Sequence, residues 1–140
     1  MFIFNEINLY IDGCSKGNPG EAGAGVLITT TNQDILIKKS YTLGIKTNNE
    51  SEYMALLLGL ADIEKYIKTT KINIYSDSLL LVNQINGKYK INNSRLKKLH
   101  EKALISLNDK TYTITHIPRD QNSIADELAN IAIKNRRKNK

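Results

Sequence analysis

Apolar and polar residues alternate along the first part of the chain, which is typical of strands with one buried face. Residues 7–12 place Ile, Leu and Ile in alternation with Asn, Tyr and Asp. Two further strands are predicted around residues 25–30 and 35–43, with a turn at residues 31–34 between them. Their short connections favour an antiparallel meander. The glycine-rich segment 13–25, which contains Asn18-Pro19-Gly20, is predicted to be a turn-rich connection.

Helical patterns dominate the rest of the chain. A helix is predicted from a cap at Asn48 or Asn49 to Tyr66, and because it is apolar nearly all round we expect it to be buried on several sides. Residues 71–76 then form a strand that the helical crossover makes parallel to its neighbour in the sheet. A short helix at 78–85, an amphipathic helix at 94–107, a strand at 112–117 and a helix at 124–133 follow. The order β-β-β-α-β-α-α-β-α predicts an α/β fold with a mixed five-stranded sheet.

Composition and charge narrow the class of protein only a little. With 140 residues, 41% of them hydrophobic, the chain fits a single globular domain, which we place at residues 1–134. The net charge of +6 arises mainly from Lys134 and the basic residues within 135–140. We expect residues 135–140 to be a disordered tail. The net charge alone therefore does not indicate nucleic-acid binding. The lone Cys14 excludes an internal disulfide framework and suits a reducing compartment. Without a recognisable signal peptide or long apolar run, the protein is expected to be cytoplasmic and free of membrane.

Four acidic residues lie where a predicted strand ends or a predicted helix begins. Asp12 and Asp77 end strands, whereas Glu52 and Asp126 lie in the first turns of helices. Helix N-termini favour negative charge, so both helical acids have a purely structural alternative, and Asp77 has another as the cap of the helix at 78–85. Asp12 is harder to explain in this way, because an acid at the end of a central strand is costly to bury without a partner. Together the four carboxylates form a candidate site for hard divalent cations at one edge of the sheet.

Four short motifs carry a resemblance to a known family. They are residues 10–20 (Tyr-Ile-Asp-Gly-Cys-Ser-Lys-Gly-Asn-Pro-Gly), 47–52 (Thr-Asn-Asn-Glu-Ser-Glu), 75–78 (Tyr-Ser-Asp-Ser) and 122–129 (Asn-Ser-Ile-Ala-Asp-Glu-Leu-Ala). With these motifs in this order, the chain resembles the type 1 ribonuclease H family over residues 7–134. The resemblance implies an RNase H-like fold, with the strand order 3-2-1-4-5 and helices on both faces of the sheet.

The resemblance also implies an activity, the metal-dependent hydrolysis of the RNA strand of RNA/DNA hybrids to 3′-hydroxyl and 5′-phosphate ends. The four acids would hold two Mg²⁺ ions, for which Mn²⁺ can substitute. Asp12 would be shared, Asp126 would bind one ion, and Glu52 and Asp77 would bind the other. A water on one ion would supply the nucleophile, and the second ion would stabilise the leaving oxygen. So compact a domain is expected to act as a monomer, with no obligatory protein partner.

Polar residues near the acids match family positions that contact the substrate. Asn18, Asn49 and Glu52 match positions that sense the 2′-hydroxyl of RNA. Thr47 and Asn48 match contacts to the DNA strand, and Asn122 matches a position near a DNA phosphate. Amides and hydroxyls suit these tasks because they both donate and accept hydrogen bonds. Helix capping at residues 48–49 and a turn at Asn18 are structural alternatives, and they are compatible with substrate contact.

Further charged residues have more than one interpretation. Arg119 is a candidate for contacting the scissile phosphate or the product, with an exposed surface charge as the alternative. His116, on the last predicted strand, is more typical of a structural histidine than of a catalytic one. Glu50 is expected to face solvent. Four lysines form a basic cluster: Lys88, Lys90, Lys97 and Lys98. The cluster forms either a solvated helix face or a set of contacts to the hybrid backbone.

Two other functions stay open at this point. A nuclease with the same fold and metals would act on double-stranded or structured RNA, and a binding module would hold hybrids without cleaving them. The complete set of four acids disfavours the binding module. Asn18 and the run of residues 47–49 favour the hybrid as substrate. The preferred metal, the cleavage-site preference, the processivity and the role of the tail do not follow from these motifs.

Overall fold

A five-stranded sheet with helices on both faces forms the protein, whose residues 1–138 are described by a computed structural model. The strands are β1 (Phe2–Ser15), β2 (Gly20–Thr30), β3 (Ile35–Lys46), β4 (Ile67–Ser76) and β5 (Thr111–His116). The helices are α1 (Asn48–Tyr66), α2 (Leu79–Ile85), α3 (Ser94–Leu107) and α4 (Ser123–Lys138), with a 3₁₀ turn at Arg119–Gln121. None of the described helices is long and apolar enough to cross a membrane.

The strand order is β3-β2-β1-β4-β5, which confirms the predicted mixed sheet. The meander β1–β2–β3 is antiparallel, and β4 pairs in parallel with both β1 and β5. The helix α1 supplies the crossover that a parallel pair requires between β3 and β4. The ladder between β1 and β4 ends at the pair of Ile11 with Ser76, so both central strands reach the same edge of the sheet together.

Successive side chains of β1 point to opposite faces of the sheet. Leu9 and Ile11 are buried beneath α1, where Gly59 lies against both side chains. The following residue, Asp12, points to the opposite face and pairs with Gly25, which lies against α4. The outer side of α1 packs on α3, so the helix is buried on several sides, as its apolar pattern predicts.

Glycines on β1 and β2 allow the helices to approach the sheet more closely than any side chain would permit. A Cβ at Gly13 would overlap the backbone of α1. A Cβ at Gly23 or Gly25 would overlap the backbone of α4. These glycines therefore serve the packing of helix on strand, which is one of the established uses of glycine inside strands.

The structure corrects two predicted boundaries. The segment 13–25 is mostly strand rather than a turn-rich connection, because β1 continues to Ser15, β2 begins at Gly20, and residues 16–19 alone join them. The last helix does not end at residue 133 but continues to Lys138. No glycine or proline interrupts residues 134–138, and cations are favourable at a helix C-terminus, so part of the predicted tail is helical. Residues 139–140 of that tail lie outside the described residues.

The start of α1 also differs from the prediction. Thr47, rather than Asn48 or Asn49, is the N-cap: its Oγ1 accepts a hydrogen bond from the backbone N of Glu50 at 3.1 Å. The Glu50 carboxylate in turn accepts a hydrogen bond from the backbone N of Thr47 at 3.0 Å. This reciprocal pair is a capping box. Glu50 is therefore buried rather than facing solvent.

We expect Gly25→Ala to destabilise the protein by about 2 kcal/mol or more, because overpacking a filled interface forces backbone shifts. The added methyl group would also lie 2.8 Å from Cβ of Leu128. Urea denaturation of both proteins measures the difference in the free energy of unfolding. Thr42→Ala, an exposed change on β3, is the control and should cost about 0.5 kcal/mol. Equal stability of Gly25→Ala and the wild type would contradict the packing account.

Candidate active site

Asp12 and Asp77 lie side by side where the parallel ladder of β1 and β4 ends. The last pair of that ladder is Ile11 with Ser76, and the two acids are the next residues of the two segments. Asp77 does not cap α2, because Ser78 is the N-cap and its Oγ accepts a hydrogen bond from the first turn at 3.2 Å. The capping alternative for Asp77 is therefore wrong, and its carboxylate faces the cavity beside Asp12.

Glu52 reaches these two acids from the first turns of α1. The backbone N of Gly13 donates a hydrogen bond to the Glu52 carboxylate, so α1 is tied to β1 one residue after Asp12. Gly13 has no side chain to hold the helix away, which permits this contact. Carboxylate oxygens of Asp12, Glu52 and Asp77 lie within 4.8 Å of one another. The helix dipole alone does not account for Glu52, because its carboxylate is bonded to β1 rather than to its own helix.

Asp126 enters the same cavity from α4, on the opposite face of the sheet. Its carboxylate lines the cavity together with Asp12 and lies 3.5 Å from Nη2 of Arg119. Asn122 fixes the start of α4 against β1, because its Nδ2 donates to the carbonyl oxygen of Ile11 at 2.8 Å. The backbone carbonyl of Asn122 then accepts a hydrogen bond from the N of Asp126 at 3.0 Å. The structure thus brings all four predicted acids together around one cavity of about 440 Å³.

Burial and mutual repulsion dominate the electrostatics of this cluster. Asp12 is 5% exposed and Glu52 is 8% exposed. Burial, reinforced by the charges of Glu52 and Asp77, raises the pKa of Asp12 far above the usual range of a carboxyl group. Burial also raises the pKa of Glu52, although the hydrogen bond from Gly13 acts in the opposite direction. Hard oxygen donors that repel one another at such short range are suited to a divalent cation, which removes the repulsion on binding.

The predicted substrate residues near α1 form a polar rim on one side of the cavity. Asn18 Oδ1 accepts a hydrogen bond from the backbone N of Asn48 at 3.1 Å. Asn48 Oδ1 accepts one from the backbone N of Ser15 at 3.0 Å. These two bonds tie the β1–β2 connection to the start of α1. Asn49 is exposed and lines both the cavity and a neighbouring groove of about 360 Å³, which Thr47 and Asn18 also line.

The other predicted residues lie at different depths. Asn122 is 2% exposed, so its amide does not face solvent but holds β1 beside Asp12. Its Oδ1 has no hydrogen-bond partner among the described residues. Arg119 lines the cavity and is 79% exposed. His116 is exposed at the end of β5 and is not among the described residues that line the cavity. The basic cluster is exposed on α3 and on the segment before it: Lys88, Lys90, Lys97 and Lys98.

Lys16 and Asn130 also line the cavity, although neither was identified as a site residue from the sequence. Asn130 lies one helical turn after Asp126, and its Nδ2 donates to the carbonyl oxygen of Asp126 at 2.9 Å and to the carboxylate at 3.4 Å. Its Oδ1 accepts a hydrogen bond from Nζ of Lys16 at 2.9 Å. The i, i+4 spacing could have indicated Asn130 as a neighbour of Asp126. No spacing rule indicates Lys16, which is 114 residues away from Asn130.

Comparisons with known proteins agree with this fold. The family model described as "Reverse transcriptase-like" matches residues 10–132. Ribonuclease HI of Halobacterium salinarum is 34% identical over 130 residues, which cover 91% of this chain and 64% of that protein. The chain spans about a third of the length of the mycobacterial relatives that it matches at 36% identity.

Solved structures extend the likeness to the whole fold. The crystal structure of RNase H1 from Halobacterium salinarum has a TM-score of 0.90 and 32% identity, and the match covers 94% of this chain and 99% of that one. A second RNase H1, crystallised in complex with an RNA/DNA hybrid, has a TM-score of 0.88 and 36% identity, with coverage of 92% and 97%. With its fold, its acidic cluster and these relatives, the chain belongs to the type 1 ribonuclease H family.

We expect the metal-free protein to lose stability as the pH rises from about 5 to 8. The folded-state pKa values of Asp12 and Glu52 lie above the unfolded value of about 4, so the protonated forms stabilise the fold at low pH and are lost as the pH rises through the folded-state pKa. The slope is up to about 1.4 kcal/mol per pH unit for each such group. Chemical denaturation in the presence of a chelator measures it.

Asp12→Asn should flatten this pH dependence, and Glu127→Gln, which changes an exposed acid on α4, should not. The same pH profile for the wild type and Asp12→Asn would contradict the account of the cluster.

Proposed function

We propose that this protein is a metal-dependent endonuclease that hydrolyses the RNA strand of RNA/DNA hybrids and leaves 3′-hydroxyl and 5′-phosphate ends. The observation that carries the proposal is the convergence of four acids on one cavity: oxygens of Asp12, Glu52 and Asp77 lie within 4.8 Å of one another, and Asp126 lines the same cavity. The hybrid bound to a relative of the same fold supports the choice of substrate.

The donor set fits two Mg²⁺ ions, with Mn²⁺ as a substitute, because carboxylate oxygens are the ligands that these hard cations prefer. The charges of Glu52 and Asp77 repel that of Asp12, and Asp126 lines the same cavity from α4. This arrangement supports Asp12 as the shared ligand, Asp126 on one ion, and Glu52 with Asp77 on the other. Ions held by these acids would supply an activated water and stabilise the leaving oxygen. The chain itself contributes fixed carboxylates and a cavity beside them.

Selection of the RNA strand is assigned to the polar rim. Asn18 and Asn49 would sense the 2′-hydroxyl, and Thr47 and Asn48 would contact the DNA strand. The hydrogen bonds that tie residue 18 to residue 48 support this role, because they fix the rim relative to the acids. Asn122 acts from a buried position, where its bond to β1 places the backbone next to Asp12. Direct contact of Asn122 with a DNA phosphate would require its side chain to become more accessible, because it is 2% exposed.

The groove beside the rim continues the proposed binding surface toward α3. Asn93, Ser94 and Arg95 line it at the start of that helix, opposite Thr47 and Asn49. A cation, hydroxyls and a helix N-terminus together suit a phosphate of the DNA strand. The basic cluster (Lys88, Lys90, Lys97 and Lys98) extends from this groove and would add salt-sensitive contacts to the hybrid backbone. One copy of the chain supplies all four acids, so a monomer suffices for the proposed activity.

We expect the protein to cleave an end-labelled RNA/DNA hybrid in Mg²⁺ or Mn²⁺ and to lose this activity in a chelator. Asp77→Asn should lower the rate by ~100-fold or more, because even residues outside the metal ligands typically contribute 10- to 100-fold in such sites. Gel analysis of parallel reactions with duplex RNA, duplex DNA and single-stranded RNA tests the substrate. Equal cleavage of duplex RNA would favour the alternative nuclease, and hybrid binding without cleavage would favour the binding module.

Arg119→Ala should lower kcat by roughly tenfold while leaving the folding stability and metal affinity unchanged. Arg119 is highly exposed and its ion pair with Asp126 spans 3.5 Å, so the pair adds little to stability. Steady-state kinetics and metal titration by calorimetry separate the two effects. Lys68→Ala, an exposed cation on β4, is the control. Kinetics of Arg119→Ala that match those of this control would identify Arg119 as a plain surface charge.

A further inference from the structure

Lys16 brings a second cation to the cavity from the β1–β2 connection. Its Nζ donates to Oδ1 of Asn130 at 2.9 Å, and it lines the cavity together with Arg119. The two cations differ in their partners. Arg119 pairs directly with Asp126, whereas no ion pair joins Lys16 to a carboxylate within the described residues. Lys16 thus shares a cavity with four acids but is held by a neutral amide.

The groups around Lys16 define where its ammonium lies. The backbone N of Lys16 donates to the carbonyl oxygen of Glu21 at 2.8 Å, which fixes the base of the side chain in the hairpin. Asn130 is fixed in turn by its two hydrogen bonds to Asp126. The amide of Asn130 therefore contacts the proposed metal ligand Asp126 through its nitrogen and the ammonium of Lys16 through its oxygen.

A neutral partner leaves Lys16 available to a stronger one. A phosphate carries a net negative charge and the amide of Asn130 does not, so Coulomb attraction to the ammonium favours a phosphate oxygen that enters the cavity over the amide. Lysine suits this exchange, because it is a compact charge on a flexible stem with rotatable donors. The exposure of Lys16 means that the exchange requires no change in the packed core.

We propose that Lys16 binds a phosphate of the nucleic acid at the catalytic cavity, and that Asn130 is a positioning residue that holds the ammonium there until the phosphate arrives. This inference rests on the proposed function, since it assumes that a nucleic acid occupies the cavity. It adds a substrate contact at Lys16 to the contacts proposed for the rim and for α3.

The proposal is tested by hybrid binding in an Asp77→Asn parent, in Mg²⁺, by fluorescence anisotropy between 50 and 200 mM salt. Lys16→Met should raise Kd on the order of fivefold at low salt and reduce the slope of log Kd against log salt by about 1. Lys16→Arg should retain the slope of the parent. Lys68→Met removes an equally exposed charge about 30 Å away along β4 and should change neither quantity. Equal slopes for Lys16→Met and Lys68→Met would overturn the role of Lys16.

A double-mutant cycle tests Asn130. Asn130→Ala should weaken binding when Lys16 is present and have no further effect in the Lys16→Met background, because its role acts through that ammonium. An equal loss in both backgrounds would mean that Asn130 acts through Asp126 alone, and would overturn its role in positioning Lys16. A parent protein that binds no hybrid at any salt would instead reject the proposed function. Thermal unfolding of each variant confirms that the fold is intact.

Discussion

The repulsion between the buried carboxylates of Asp12 and Glu52 is the constraint around which this structure is arranged. Like charges in a poorly solvated cavity favour separation, and each group gains by moving into water. The fold prevents that separation by packing. The end of the β1–β4 ladder fixes Asp12, the hydrogen bond from Gly13 fixes Glu52, and Gly25 lets α4 rest directly on the sheet. The acids are therefore held by the forces that hold the fold, and the electrostatic cost is met by the hydrophobic core beneath α1.

The sequence predicts this fold well where a pattern is local. Alternation along β1 and the apolar run of α1 identify both elements, and acids at their boundaries identify the site before any coordinates are known. The ends of the strands are predicted less well. A glycine in the sequence suggests a turn, whereas here several glycines lie in strands because helices that are distant in sequence pack against them. Gly23 is predicted to lie in a turn-rich connection for this reason, although it lies in β2. The Lys16–Asn130 contact was missed because it joins residues at opposite ends of the chain.

Helix capping and the proposed substrate contacts fall on neighbouring residues at the start of α1. Thr47 caps α1 and lies in the proposed DNA-strand groove, and Asn48 accepts a hydrogen bond from the hairpin while it lines the cavity. Glu50 completes the capping box and keeps the helix start in place for Glu52 two residues later. In each case a structural hydrogen bond holds a residue at the position where a substrate would meet it. The rim is thereby organised before binding, which reduces the ordering cost of recognition.

The hydrogen bond between Gly13 and Glu52 has a consequence for folding cooperativity. It joins β1 to α1 inside the cavity that would hold the cations, so α1 cannot detach from the sheet without dispersing the ligands. Cation binding then stabilises the whole domain against unfolding. A ligand that binds only the native state raises the free energy of unfolding by about 2.7 kcal/mol when its concentration is one hundred times its Kd. Local opening of α1, and with it exposure of the core to proteases, becomes a function of metal supply. The acidic site lowers the stability of the metal-free protein, and a cation bound at the same site raises it.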